Sequence, residues 1–266
     1  MTTFSIITIV RNDPVGVIRT LQSVYQQRWT DYELIVQDGA STDETSDILR
    51  GFEPWIDSLT IEPDDGIYDA MNRALARATG DWLLFLNAAD FFVNENVLTT
   101  VAEMLRTEEA DIVVGKAIGH ETGKIHQYRN PAQFWAGSTC DHQASFIRRP
   151  LMQDLKYREI YRIAGDLDFF TRARIQGAQF RYVDVPIARK PFSVGASTGF
   201  TDRIKDRFEM LDSAFGADYP VRDVITREMQ ASTARAFDVD PDLLAASTLE
   251  DLLAMRDHWE DRLIRR

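Results

Sequence analysis

The stretch FSIITIVRNDPVGVIRTLQSVY, residues 4–25, decides the fold. Phe4–Val10 is an almost continuous apolar, β-branched run, the composition of a strand covered on both faces. Asp13-Pro14 then supplies a helix N-cap and a first-turn proline, where a missing N–H costs nothing. Val17, Leu21, Val24 and Tyr25 recur at helical spacing, which predicts a helix over Pro14–Gln26 packed on a sheet. The same rhythm repeats downstream. Leu34–Val36 reads as a strand, and Ser41 with Glu44 makes a capping-box pattern that opens a helix to about Arg50. Leu59–Ile61 reads as the third strand, Gly66–Thr79 as a helix ended by Gly80, and Trp82–Leu86 as the fourth strand. This alternation predicts an α/β fold, Rossmann-like, with a mostly parallel central sheet and flanking helices.

Beyond residue 106 the pattern loosens. Ile112–Gly115 and Ile125–Tyr128 read as strands around the polar turn His120–Lys124. His142–Arg148 reads as another strand, Asp166–Gln176 as a helix and Phe180–Val185 as a further strand. The loop Pro191–Gly199 is rich in Gly, Ser and Thr and lacks apolar anchors, the character of a lid. From Thr201 the composition is helical and strongly charged, so the expected organisation is a domain over 1–200 and a helical extension over 201–266. In that tail Leu249, Leu252, Leu253, Trp259 and Leu263 fall on one helical face, with ionic residues opposite. Such a stripe is covered by packing back on the chain, by a homodimer contact or by a membrane surface.

Composition narrows the partners. Hydrophobic residues at 44% and a length of 266 residues suit one large globular domain with an appendage. A net charge of −12 opposes binding to nucleic acid, which demands a basic surface. The single Cys140 forms no intramolecular disulfide, which fits a reducing compartment. No basic segment leads an apolar stretch at the N-terminus, and no run approaches the roughly 20 apolar residues of a membrane span, so a cytoplasmic protein is expected. Arg256, Arg262, Arg265 and Arg266 in the tail are opposed by Glu250, Asp251, Asp257, Glu260 and Asp261, which predicts only weak, transient contact with the inner membrane face.

Four strand ends run into polar, mostly acidic clusters: Arg11-Asn12, Asp38, Asp64-Asp65, and Asn87 with Asp90. In an open parallel sheet these ends line one crevice, where ligands of α/β folds bind. Each has a plain structural explanation as well. Asp90 suits a turn or helix cap, or alternatively a Mg²⁺ or Mn²⁺ ligand. Asp65-Gly66 is a natural turn, while Asp69 and Asn72 share a side of the following helix near its N-terminus, a place suited to a nucleotide or pyrophosphate. Asp166-Leu167-Asp168 complements a helix dipole, or offers a general base. His142, alone, is more often structural than catalytic. No HExxH, Gly-rich phosphate loop or nucleophile elbow is present.

Together these segments resemble an inverting glycosyltransferase of family 2, with the GT-A fold. The resemblance runs in order over residues 4 to 198, through FSIITIVRN (4–12), ELIVQDGASTDET (33–45), EPDDGIYDAMNR (62–73), GDWLLFLNAAD (80–90), HQASFIRR (142–149), IAGDLDF (163–169) and FSVGAS (192–197). Its flavour is that of the branch building bacterial exopolysaccharide, capsule or O-antigen, such as colanic acid. The resemblance implies that Asp38 contacts the nucleoside with Arg11 and Asp65 alongside. It implies that Tyr68, Asp69, Asn72 and Asn87 line the donor site, and that Asp90 is the surviving acid of the metal-binding DxD element. Asp166 matches the catalytic base, His142 and Gln143 lie toward the acceptor, and Gly195 and Ser197 belong to a lid. Asn87 and Ala89 stand where relatives carry acids, and Ala196 replaces a second glycine. The implied reaction transfers a sugar from a UDP- or GDP-sugar to a saccharide or lipid-linked saccharide, with a divalent cation. The rival readings are a non-catalytic nucleotide- or saccharide-binding module and a sugar nucleotidyltransferase. The latter needs a basic, Gly-rich loop that Arg11-Asn12-Asp13-Pro14 does not provide.

Overall fold

β1 (Phe4–Val10) is buried along its length except at Ile9, which is partly buried, as its two-sided apolar run requires. It pairs in parallel with β2 (Tyr32–Asp38) on one side and with β4 (Trp82–Phe85) on the other. β3 (Ser58–Ile61) extends the parallel half beyond β2. The computed structural model describes residues 3–126, 128 and 139–191, together with 206, 209, 210, 212 and 213. The chain divides into two units, Met1–Ala196 and Ser197–Arg266, and the five described positions of the second are helical.

The first unit holds an eight-stranded sheet in the order β3-β2-β1-β4-β7-β6-β8-β5. β5 is Phe91–Phe92, β6 Ile112–Gly119, β7 Ser145–Arg148 and β8 Phe180–Lys190. β7 runs antiparallel to both β4 and β6, so the second half of the sheet is mixed. The helices are α1 (Pro14–Tyr25), α2 (Thr45–Phe52), α3 (Ile67–Leu75), α4 (Val97–Leu105), α5 (Arg149–Leu155) and α6 (Gly165–Ile175). The chain steps outward from β1 to β3 and then returns to the other side of β1 at β4. That reversal opens a crevice at the carboxyl ends of β1 and β4, the usual ligand position in such sheets.

Several elements differ from the pattern-based expectation, each for a local reason. Asp13 caps α1 as expected, accepting from the Gly16 N–H at 2.8 Å. Ser41 and Glu44 do not form a capping box. The Ser41 hydroxyl turns back to Asp38 at 2.5 Å, and α2 starts only at Thr45. α3 stops at Leu75 rather than Thr79, because Arg77 and Ala78 close tighter bonds to Ala74 and Leu75 carbonyls. His142–Ala144 is a single 3-10 turn, and the strand begins at Ser145. β6 and β8 run four or five residues past their expected ends, since they pair with each other as far as Gly119 and Lys190. In the expected strand Ile125–Tyr128, Ile125 makes an isolated antiparallel bridge to Ile118, and residue 127 lies outside the described residues. The lid beyond Pro191, with Gly195 and Ser197, and the amphipathic tail lie outside the described residues.

Gly80, after α3, is pressed against β1: a Cβ there would lie 2.7 Å from the backbone of Phe4 and Ser5. Backbone cannot yield as a flexible side chain does. Gly80→Ala is therefore expected to destabilise the fold by about 1–3 kcal/mol, read as a lower denaturant midpoint with an unchanged slope.

Candidate active site

Loops after β1, β2 and β4 form the rim of the crevice, and each bends through a non-glycine residue in left-handed conformation. These are Asn12, Ala40 and Ala89, with φ of 52°, 53° and 72°. Such backbone is uncommon away from glycine and persists only where neighbours enforce it. Here the neighbours are visible. The Gly39 N–H donates to the Val10 carbonyl, and the Ala88 N–H to that of Ile9, both at 3.0 Å. The Asn12 side chain accepts from the Thr42 N–H at 2.8 Å, and the Asn12 N–H donates to Ser41 Oγ at 2.8 Å. Thr20, buried on α1, donates its hydroxyl to the Asp90 carbonyl at 2.6 Å and fixes the Asn87–Asp90 loop from below.

At the β2 end, Asp38 is fully buried. One carboxylate oxygen accepts from both Ser41 N–H and Oγ–H, and the other accepts from Ser46 Oγ–H at 2.5 Å. Its polar capacity is turned inward, shaping the loop. The acid that faces Arg11 is Asp64, which lies against Gly39, whereas Asp65 is exposed and donates its N–H to Asp69. Burial raises the Asp64 carboxyl above its ordinary value, only partly offset by the Gly66 N–H and by Arg11. Burial also opposes ionisation of Asp69, but the Arg73 side chain and the Asp65 N–H outweigh it and hold that carboxyl low.

Tyr68 and Asn72 on α3 spend their polar atoms on the segment that leads to Asp166. The Tyr68 hydroxyl donates to the Ile163 carbonyl. Gly165 admits the Tyr68 ring so closely that a Cβ would meet it at 2.6 Å. Asn72 donates to the Tyr157 carbonyl at 2.9 Å and accepts from the Tyr157 N–H at 3.0 Å. The family resemblance implies a place for these side chains on the donor lining. Their observed partners make them the clamp that fixes α6.

On α6 the two aspartates separate cleanly. Asp168 is buried and bonds Arg172 Nε at 2.7 Å, with Arg172 also satisfying the Leu155 and Lys156 carbonyls. Asp166 keeps 29% of its side chain exposed and accepts from His142 Nδ1 at 3.2 Å. The other ring nitrogen of His142 lies 3.3 Å from Asn87 Nδ2. Asn87, His142 and Asp166 thus form a chain from the end of β4 to the start of α6. Behind it, Asp141 is held by His126 at 2.6 Å and Lys190 at 2.8 Å, which together outweigh burial and keep its carboxyl low. Asp141, His126 and Lys190 carried no readable signal, since they come from three separate segments.

Asp90 is 3% exposed and hydrogen-bonded by the Gln143 side chain. Among the described residues no three His, Cys, Asp or Glu side chains come together as a metal-binding group. Within the Asn87–Asp90 loop Asp90 is the one charged side chain, and Mg²⁺ and Mn²⁺ accept a site of few carboxylates when phosphate oxygens and water fill the other positions.

The model of the family described as "Glycosyl transferase family 2" matches residues 5–174. This chain belongs to glycosyltransferase family 2. It is 35% identical over 212 residues, 75% of this chain and 81% of the relative, to a PGL/p-HBAD biosynthesis glycosyltransferase of Mycobacterium bovis. Among solved structures it is similar to S. aureus TarS 1-349 in complex with UDP-GlcNAc, with TM-score 0.69 and 18% identity over 89% of this chain and 73% of that one. It is also similar to the mannosyltransferase PcManGT of Pyrobaculum calidifontis in complex with GDP-Man and Mn²⁺, with TM-score 0.64 and 16% identity over 98% and 80% of the two chains. The fold is GT-A, and the family 2 chain is a transferase enzyme. No helix among the described residues is long and apolar enough to cross a membrane.

Burial raises the Asp90 carboxyl to about 7, against the opposing pull of His142, Gln143 and Lys190. A raised acid favours folding while protonated, so its contribution is full below about pH 4 and is lost as pH rises through about 7. Asp90→Asn removes that loss. Denaturant midpoints measured from pH 4 to 8 are expected to fall for the wild type relative to the Asn variant, and parallel profiles would refute the raised value.

Proposed function

We propose that this glycosyltransferase inverts the anomeric centre of a nucleotide-diphosphate sugar, a UDP- or GDP-sugar, as it transfers the sugar to a hydroxyl of a saccharide acceptor. One observation carries the assignment of the base: of the two carboxylates on the first turn of α6, only Asp166 is accessible, while Asp168 is consumed by Arg172. The acceptor hydroxyl donates to Asp166 and its oxygen attacks the anomeric carbon. The bond to the diphosphate breaks on the opposite face, and the proton ends on Asp166.

The nucleoside end of the donor lies toward Arg11, Asp38 and the Asp64-Asp65 turn, with Asn87 at the sugar-diphosphate side. Tyr68, Asp69 and Asn72 form the supporting wall, and Gln143 backs Asp90. A divalent cation, where bound, would be held by Asp90 and would offset charge on the departing diphosphate. Structures of the similar fold carry UDP-GlcNAc, or GDP-Man with Mn²⁺, and those ligands motivate the choice of donor class. A role in surface polysaccharide assembly remains our reading of the acceptor. The names of the mycobacterial relatives, in PGL/p-HBAD biosynthesis, direct attention to lipid-linked acceptors as well.

Two measurements test this. Thermal shift with UDP, GDP, UDP-sugars and GDP-sugars, each with Mn²⁺ and with chelator, is expected to single out one nucleotide, and no response to any of them would overturn the donor class. Asp166→Asn is expected to keep that nucleotide's affinity in calorimetry and to lose transfer by about 10²–10⁴-fold. Transfer at the wild-type rate would remove Asp166 from the mechanism.

A further inference from the structure

We propose that His142 is the positioning residue for the Asp166 carboxylate, and that it takes its own bearing from Asn87. This rests on Asp166 being the base. The sequence resemblance had set His142 on the acceptor side, but the structure gives both of its ring nitrogens protein partners. Nδ1 meets Asp166 Oδ2 at 3.2 Å, and Nε2 meets the Asn87 amide at 3.3 Å. An ionised carboxylate only accepts, so the proton in the first contact belongs to Nδ1. That holds for either orientation of the Asn87 amide, which can donate to Nε2 or accept from it.

The far anchor is itself fixed. The Asn87 carbonyl accepts from the Asp90 N–H at 2.9 Å, and the Thr20 hydroxyl holds the same loop through the Asp90 carbonyl. His142 therefore references Asp166 to the end of β4, while Tyr68 on α3 bonds the Ile163 carbonyl and packs on Gly165, the residue before Asp166. The other carboxylate oxygen, Oδ1, accepts the Leu167 N–H at 2.7 Å. Each oxygen then has one donor and retains lone-pair capacity for an acceptor hydroxyl. The neighbouring Gln143 bonds the Asp90 side chain, so one 3-10 turn, His142–Ala144, ties the acid-poor motif of β4 to the base on α6. A carboxylate with 29% of its side chain exposed has rotamers to lose, and holding one of them is what proximity catalysis requires.

Two substitutions separate the ends of the ring. In His142→Asn the side-chain amide nitrogen stands near the former Nδ1, whereas in His142→Gln it stands near the former Nε2. The Gln variant is expected to lose ~10–100-fold in kcat with an unchanged donor KM, and the Asn variant to recover most of that loss. In an Asp166→Asn background His142→Gln should have no further effect, since the group it orients is gone. Equal activity of the Asn and Gln variants, or a full additional loss in the double variant, would overturn the positioning role. A raised donor KM with intact kcat would also overturn it and assign His142 to donor binding. Asp166→Asn alone, assayed in parallel, separates this from the underlying reading: if that variant transfers normally, the base assignment fails first.

Discussion

Everything at the candidate site depends on β1 being covered on both faces and flanked on both edges by parallel strands. A strand so placed has no free edge and no solvent face, so the chain can present polar groups only where it leaves the sheet. β2 and β4 follow the same direction, and their loops must diverge over one rim. Hydrogen bonds from Gly39 and Ala88 back to the last carbonyls of β1 hold those loops down. The left-handed turns at Asn12, Ala40 and Ala89 are the conformational cost of that divergence, of order 1–3 kcal/mol for each such residue. Strain of this kind is sustained because the buried sheet beneath cannot relax.

The sequence was most legible where structure follows from local pattern. β1, the Asp13 cap and the span of α1 emerge from burial periodicity and turn chemistry within a few residues of each other. The rim followed too, since acids placed after apolar runs must emerge at strand ends. Less legible was what each acid would bond. Ser41 satisfied every rule for a helix cap, yet Asp38 sits three residues earlier, buried, and claims its hydroxyl. Neither Asp64 nor Asp65 is distinguished by its immediate neighbours; only the packing of Gly39 selects Asp64 to face Arg11. Asn72 and Tyr157 stand 85 residues apart, and Tyr68 and Ile163 95, so no window of sequence contains both partners. Propensity describes what a segment can do alone, and these contacts exist only after the sheet has brought α3 against α6.

The distribution of charge follows the same logic. Asp141 and Asp168 are buried among cations that pair with them directly, and they serve the architecture. Asp90 is buried too, but its nearest hydrogen bond is from a neutral amide, and its carboxyl rises to about 7. A carboxylate without a direct cation partner in a dry site is stable only when protonated or when a cation arrives. The substitution pattern of the motif fits this. With Asn87 and Ala89 beside it, Asp90 meets no second acid within its own loop, and the charge that repels it comes from Asp141.

That economy bears on how the site meets a diphosphate. A motif with several acids repels an anionic donor until a cation neutralises it, whereas one buried acid whose carboxyl is raised to about 7 repels it less. Asp166 stands apart from that bargain. It is held by the His142 ring and the Leu167 N–H at the start of α6. In the reaction we propose, the acid on the leaving-group side and the acid on the nucleophile side are separate, so each is governed by its own surroundings, burial for Asp90 and hydrogen-bonded orientation for Asp166.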